Sequence, residues 1–207
     1  MQTILISGFE PFGGKTDNSS QRVIAKLDGV WVSEQTRVKV CCLPVVRRKS
    51  ARLLLDAVNR YQPSAVIALG EARRDSISLE RVAINIDDYS IPDNEQNQPI
   101  DEVIVVDAPA AYWSSLPIKR VYRMLKQHDI PVEISNTAGT FVCNHVFFQL
   151  QHALQKTSII SGFVHVPVLE ALDRKRNMDL STVVEGVRLM AHLLSQNITE
   201  RDSLSDS

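Results

Sequence analysis

The feature that most constrains this chain is a repeated switch between two apolar periods. Short runs rich in Val and Ile, "TILIS" (3–7), "VKVCCLPV" (38–45), "AVIALG" (65–70), "ERVAINI" (80–86), "VEIS" (132–135) and "SIISGFVHV" (158–166), read as strands. Between them the spacing turns helical. Leu54, Leu55, Val58 and Tyr61 form one stripe near 47–61, and Val121, Tyr122 and Leu125 another near 117–128. Val142, Val146, Leu150 and Ala153 make a third, and Val183, Val187, Met190 and Leu194 a last one. Strands apolar on both faces, alternating with helices, predict an α/β fold: a twisted, mixed, largely parallel sheet sandwiched between helices.

With 207 residues and no linker or repeat, the chain is expected to form a single domain over 1–207, with about 199–207 a frayed tail. Residues 87–102, "DDYSIPDNEQNQPIDE", break the periodicity and read as a long excursion serving function or assembly. The formal charge of -1, with both signs mixed, points to neither nucleic acid nor an anionic membrane surface. No apolar run approaches the roughly 20 residues that span a bilayer. The opening "MQTILISGFEPFGG" lacks a basic n-region and reads as a buried first strand. Adjacent Cys41 and Cys42 are poor disulfide partners and are expected to alternate across a strand, at least one filling core. A reducing, cytoplasmic setting follows as the expectation.

Two motifs fail on spacing. In "GFEPFGGKT" the glycine that a phosphate-binding loop requires falls on Phe9, and Pro11 removes an N–H from the cradle. The histidines, at 128, 145, 152, 165 and 192, form no pair on one helix turn, and Cys143 and His145 are two residues apart on a helix. No metal site is expected, and His128, His152 and His192 are expected to face solvent.

Cys143 carries the remaining chemistry, as a buried core thiol or as a nucleophile. "SNTAGT" reads as a turn ending in an N-cap at Thr140, which places Cys143 in the first helical turn. There the helix N-terminus is expected to lower the thiol pKa and to supply N–H groups for an oxyanion. His145 points away, whereas His165, near the end of a buried strand and just before Pro167, is placed where α/β sheets gather ligands. A carboxylate should orient its ring, and Glu80, Asp87 and Asp88 are the candidates.

These segments resemble the pyroglutamyl peptidases, also called pyrrolidone-carboxylate peptidases. "GFEPFGG" (8–14), "ERVAINIDD" (80–88), "IPDNEQNQP" (91–99), "NTAGTFVCNH" (136–145) and "GFVHVP" (162–167) match that family in order over nearly the whole chain. The resemblance implies Cys143 as nucleophile, His165 as general base and acid, and Glu80 as the orienting carboxylate. It implies a cysteine omega peptidase acting on N-terminally pyroglutamylated peptides, without cofactor, as a homo-oligomer (tetramer or dimer). Phe9, Phe12 and Gly13 of the aromatic loop, Glu71, Phe141 and Val142 would form the substrate pocket. Phe9 and Phe12 would clamp the lactam ring on its faces, although aromatic residues of this kind more often fill core. Two alternatives stay open: a thiol hydrolase or amidase of altered acyl specificity, and a non-catalytic small-molecule binder. Where bacterial members usually read Gln-Ala-Gly-Gly-Arg, this chain has Glu71-Ala72-Arg73-Arg74-Asp75, and Ser90 replaces a frequent arginine. Arg73 and Arg74 are therefore expected near the pocket mouth.

Overall fold

The structure, a computed structural model, describes residues 1–169 and 178–205, with side chains to residue 196. Six strands form one sheet. β1 (Gln2–Phe9) lies between β2 (Thr36–Leu43) and β3 (Ala65–Ala72), and β3 is followed across the sheet by β8 (Ile160–Pro167), β4 (Ile77–Glu80) and β7 (Val132–Ser135). All neighbours run parallel except β4 against β8. A two-stranded antiparallel ribbon, β5 (Val82–Ile84) with β6 (Ala111–Trp113), stands apart. The helices are α1 (Ser19–Leu27), α2 (Arg47–Tyr61), α3 (Ile118–Gln127), α4 (Val142–Leu154) and α5 (Leu180–Ser205). The expected mixed, largely parallel α/β sheet is what forms.

Period-two alternation along β1 divides the core. Ile4 and Ile6 join the cluster containing Val23 and Leu27 of α1, Leu125 of α3 and Val187 of α5. Leu5 and Phe9 join the opposite one, with Leu54 and Val58 of α2 and Val146, Phe147 and Leu150 of α4. Both faces of the sheet are thus covered, and parallel strands require that cover.

Two local readings change. α1 was not anticipated, although Asn18 caps it by accepting from Ser20 N–H at 3.0 Å, ahead of Val23, Ile24 and Leu27 on one face. The strand expected over 80–86 is two: β4 ends at Glu80, the chain turns at Arg81, whose N–H donates to the Ser135 carbonyl, and β5 follows outside the main sheet. Glu80 therefore closes a strand rather than opening one. α5 carries helical backbone to Ser205, into the segment expected to fray, and 206–207 lie outside the described residues.

The 87–102 excursion folds back onto the domain. Tyr89 and Asp93 are buried, and Asp93 accepts from the Arg47 N–H at the start of α2 at 2.8 Å. The Asn94 amide donates to the Pro11 carbonyl at 3.0 Å and so braces the aromatic loop. Cys41 is half-buried against the α2–α4 core, and Cys42, next along β2, is exposed. Among the described residues no helix is long and apolar enough to cross a membrane.

Candidate active site

The site forms at the carboxyl ends of β1, β3 and β8, where the chain order reverses across β1, the place where open α/β sheets bind ligands. His165 lies on β8, opposite Gly70 of β3 and Ser78 of β4. Its Nδ1 is 2.7 Å from Glu80 Oε1, with the histidine 4% exposed and the carboxylate fully buried. Of the three candidate carboxylates, Glu80 is the one in contact with this ring. Asp87 is instead consumed by His145 Nδ1 at 2.8 Å and Arg47 Nε at 2.6 Å, and Asp88 is exposed.

Cys143 is the second residue of α4. The expected Thr140 cap is replaced by Phe141, an extended residue with no side-chain cap, because Thr140 faces the other way: its hydroxyl donates to the Asp88 carbonyl at 2.7 Å. Asp88 N–H donates back to the Thr140 carbonyl at 3.1 Å, and this reciprocal pair clamps the turn before the cysteine. The next residue, Asn144, is fully buried and stitches α4 to β5, accepting from Ile84 N–H and donating to the Ile84 and Ile86 carbonyls. The sequence reading missed Asn144. Its signal was a buried-helix position holding an amide with both donor and acceptor capacity.

Burial pushes the Cys143 thiol up to about 12; the Glu80 charge adds to the rise, and Arg74 and the Cys143 N–H oppose it. The expected lowering is therefore overturned. A helix N-terminus acts through its first turn at partial charge, and here desolvation of the sulfur beside an anion outweighs it. The thiol rests protonated and needs a base.

Cys143 and His165 open on a cavity of about 170 Å³ whose walls are chiefly Phe9, Phe12, Phe141, Val142, Val45 and Ala138. That space is smaller than the roughly 300–1,000 Å³ of ordinary ligand pockets and takes one small group. Phe9, 2% exposed, ends β1 as a core residue whose ring centroid is 6.5 Å from that of Phe163, so it forms floor rather than an exposed clamp. Phe12 is half-buried at the rim, 6.1 Å from Phe141. Gly13 does not reach the cavity: it is an exposed turn residue at φ +61° with nothing within 4 Å of a Cβ built on it. Asn18, not anticipated, also lines the space, while its own polar atoms bond to Ser20 and the Glu10 carbonyl.

Glu71 does reach the cavity, already satisfied by Lys15 Nζ at 2.9 Å and by the Ser19 N–H and hydroxyl, both at 2.7 Å. Its charge is consumed inside the protein. Arg73 is exposed, but Arg74 turns inward and pairs with Glu80, so the expectation of two cations at the mouth fails for Arg74. Ser90 is exposed.

His128 faces solvent as expected, whereas His152 and His192 are half-buried, bonded to the Tyr112 hydroxyl and the Val32 carbonyl. Among the described residues no group of three or more His, Cys, Asp or Glu side chains is arranged to hold a metal ion.

A half-buried thiol and a carboxylate-oriented imidazole beside a small aromatic cavity can perform acyl transfer. The family model described as pyroglutamyl peptidase matches residues 2–197. The chain belongs to the pyroglutamyl peptidase family. It is 44% identical over 201 residues to a pyrrolidone-carboxylate peptidase of Vibrio campbellii, covering 95% of this chain and 94% of that one. It is 45% identical over 194 residues to a Bacillus licheniformis pyrrolidone-carboxylate peptidase, covering 91% and 90%. Among solved structures, the pyrrolidone carboxyl peptidase of Thermococcus litoralis superposes with a TM-score of 0.90 at 33% identity, covering 98% and 96%. The pyroglutamyl peptidase fold thus extends over nearly the whole chain, and the protein is a peptidase of that family.

Proposed function

We propose that this chain is a cysteine omega peptidase that removes an N-terminal pyroglutamyl residue from peptides through a thioester acyl-enzyme. The observation that carries the reading is the buried 2.7 Å contact of His165 Nδ1 with Glu80 Oε1, on a ring that shares its cavity with Cys143. Glu80 accepts from Nδ1–H, which leaves Nε2 free to take a proton. His165 draws the proton from the neutral Cys143 thiol, and the sulfur bonds to the pyroglutamyl carbonyl carbon. The free N–H groups at the start of α4 hold the resulting oxyanion. As the C–N bond breaks, the imidazolium returns its proton to the leaving amine. Water, losing a proton to His165, then adds to the thioester, and collapse releases pyroglutamate and the thiol.

The cavity suits that acyl group. Its walls are mostly aromatic and apolar, and the carboxylate it contains, Glu71, is neutralised by Lys15. An uncharged lactam meets no unpaired charge there, whereas an open-chain α-amino group would have to be desolvated.

We also read the protein as a cytoplasmic homo-oligomer. Cys41, Cys42 and Cys143 are free thiols, and Ile100, Val103, Val106 and Trp113, each more than half exposed, offer apolar surface between the end of the excursion and β6.

The deciding experiment is hydrolysis of a pyroglutamyl chromogenic amide, with and without iodoacetamide, by the wild type and Cys143→Ala. Turnover by the wild type, lost on alkylation and absent from a folded Cys143→Ala protein, is expected. Retained turnover in that variant would overturn the mechanism.

A further inference from the structure

Arg74, on the loop after β3, contacts none of the atoms that react in the scheme above. Its guanidinium nevertheless reaches the centre of the site. Nη1 lies 2.9 Å from Glu80 Oε1, the same oxygen that His165 Nδ1 approaches at 2.7 Å. Nη2 donates to the Thr137 carbonyl at 3.1 Å, in the turn that leads into Cys143. One rigid, planar group therefore connects the carboxylate that orients the imidazole to the segment that delivers the thiol. The other Glu80 oxygen, Oε2, is buried without a hydrogen-bond partner. The side-chain bonds that fix this carboxylate thus converge on one atom, shared between Arg74 and His165.

The charge is as telling as the geometry. Glu80 on β4 faces the site, Glu133 on β7 stands 3.8 Å from Arg74 Nη1, and Glu71 at the end of β3 is paired with Lys15. His165 on β8 and Cys143 on α4 complete the ionisable set. Glu80 makes the Cys143 proton harder to remove and Arg74 makes it easier. Removing the guanidinium leaves the Glu80 charge unopposed at the sulfur and makes that proton loss harder.

We propose that Arg74 is a positioning residue of this peptidase site: it fixes Glu80 against His165, ties that carboxylate to the Thr137 turn, and sets the pH range in which the Cys143/His165 pair is armed. The proposal rests on the reading of Cys143, His165 and Glu80 as the reacting group. Arg73, its exposed neighbour, carries the same charge and is the internal control.

The test compares wild type, Arg74→Gln, Arg74→Lys and Arg73→Gln. Two pH profiles are recorded for each: kcat/KM on a pyroglutamyl chromogenic amide, and iodoacetamide alkylation of the Cys143 peptide followed by mass spectrometry without substrate. Arg74→Gln should lose about tenfold or more in kcat at the wild-type optimum, with KM changed little. Both its profiles should move up by about one pH unit, the low end of the effect of a neighbouring charge. Arg74→Lys should restore the pH position but not kcat, because one ammonium cannot serve Glu80 and Thr137 in the fork geometry. Arg73→Gln should match wild type. Wild-type profile positions in Arg74→Gln, with only a lower melting temperature, would overturn the proposal. If Arg74→Gln does not fold, the lysine variant decides, and a normal kcat there overturns the positioning role. If wild type leaves the amide intact, the functional reading fails, while the alkylation profiles still judge Arg74.

Discussion

Gly70→Ala should separate catalysis from stability more cleanly than removal of any reacting group. Gly70 lies in β3 directly across from His165, and its backbone is ordinary strand, so the substitution meets no φ/ψ penalty. The obstacle is space. A Cβ at this position would stand 2.9 Å from Cys143 Sγ, 2.8 Å from Phe163 Cζ and 2.9 Å from Phe163 Cε1. Ordinary contact begins near 3.4 Å, so sulfur or ring must retreat by about 0.5–1 Å. The ring is hemmed in by Phe9, Phe147 and His165, with centroids 6.5, 5.9 and 5.0 Å away. Pushing it displaces the imidazole, and leaving it in place displaces the thiol. Overpacking of this kind costs about 1–3 kcal/mol, or roughly 2–4 °C of melting temperature per kcal/mol for a chain of this size. A shift near 1 Å in a reacting group costs about 100-fold in rate. We expect kcat to fall by about 10- to 100-fold with KM nearly unchanged, measured on a pyroglutamyl amide well below the melting transition.

Gly162→Ala supplies the matched control. It sits on the neighbouring strand β8, and its Cβ would press on the Ser114 hydroxyl and come within 2.6 Å of Leu116 Cδ1, away from the cavity. It should lose comparable stability and keep kcat. Wild-type kcat in a folded Gly70→Ala protein, or equal kcat losses in both variants, would refute the claim that Gly70 makes room for the nucleophile.

Four further outcomes are expected. His165→Ala should be as inactive as Cys143→Ala, because members of a catalytic unit are not additive, and Glu80→Gln should fall less far since it orients without transferring a proton; equal losses in all three would deny Glu80 a purely orienting role. Asp87→Asn should lower stability by about 3–5 kcal/mol in denaturant melts, because it breaks a buried contact to His145 and Arg47; a stable but inactive protein would return Asp87 to candidacy for the catalytic carboxylate. Phe12→Ala should raise KM while Phe9→Ala chiefly lowers the melting temperature, as rim and floor positions require, and the reverse pattern would exchange their roles. The thiol gives a pH test: a folded-state pKa raised from 9.0 to about 12 means stability that is intact below about pH 9 and lost as pH climbs toward 12. Wild type should therefore lose more stability than Cys143→Ala across that window, and parallel losses would show that the thiol is not buried as an acid.

The parts of this fold that were legible in the sequence are those written in local periodicity. Residues 65–70 and 158–166 are apolar on both faces and became the central strands β3 and β8, and the Leu54–Val58 stripe became the core face of α2. What escaped was decided by tertiary contact. Nothing in "ERVAINI" marks the break at Arg81, because what separates the two strands is their choice of partner: β4 pairs with β7 and β8, and β5 with β6. Phe9 and Phe12 look alike in "GFEPFGG" and differ only because β1 ends between them, one ring turned into the core and the other left at the rim.

The site follows the same division, and its electrostatics shows why. A helix start beside a glycine turn is a local signal, and from it the thiol reads as acidified. In the folded chain the direction is opposite because the dominant causes are non-local: desolvation of the sulfur by elements from across the chain, and the Glu80 charge from β4. Arg74 enters that balance from the short loop between β3 and β4, where a residue readable as a surface cation comes to rest on the innermost carboxylate. Burial also explains why the arrangement needs both a base and a cation. A protonated thiol without His165 would have no route to the nucleophilic form, and an enclosed Glu80 without Arg74 would lose the ion pair that fixes it beside the imidazole. The chemistry is thus set less by the cysteine's own helix than by the charges that three strands bring to its end.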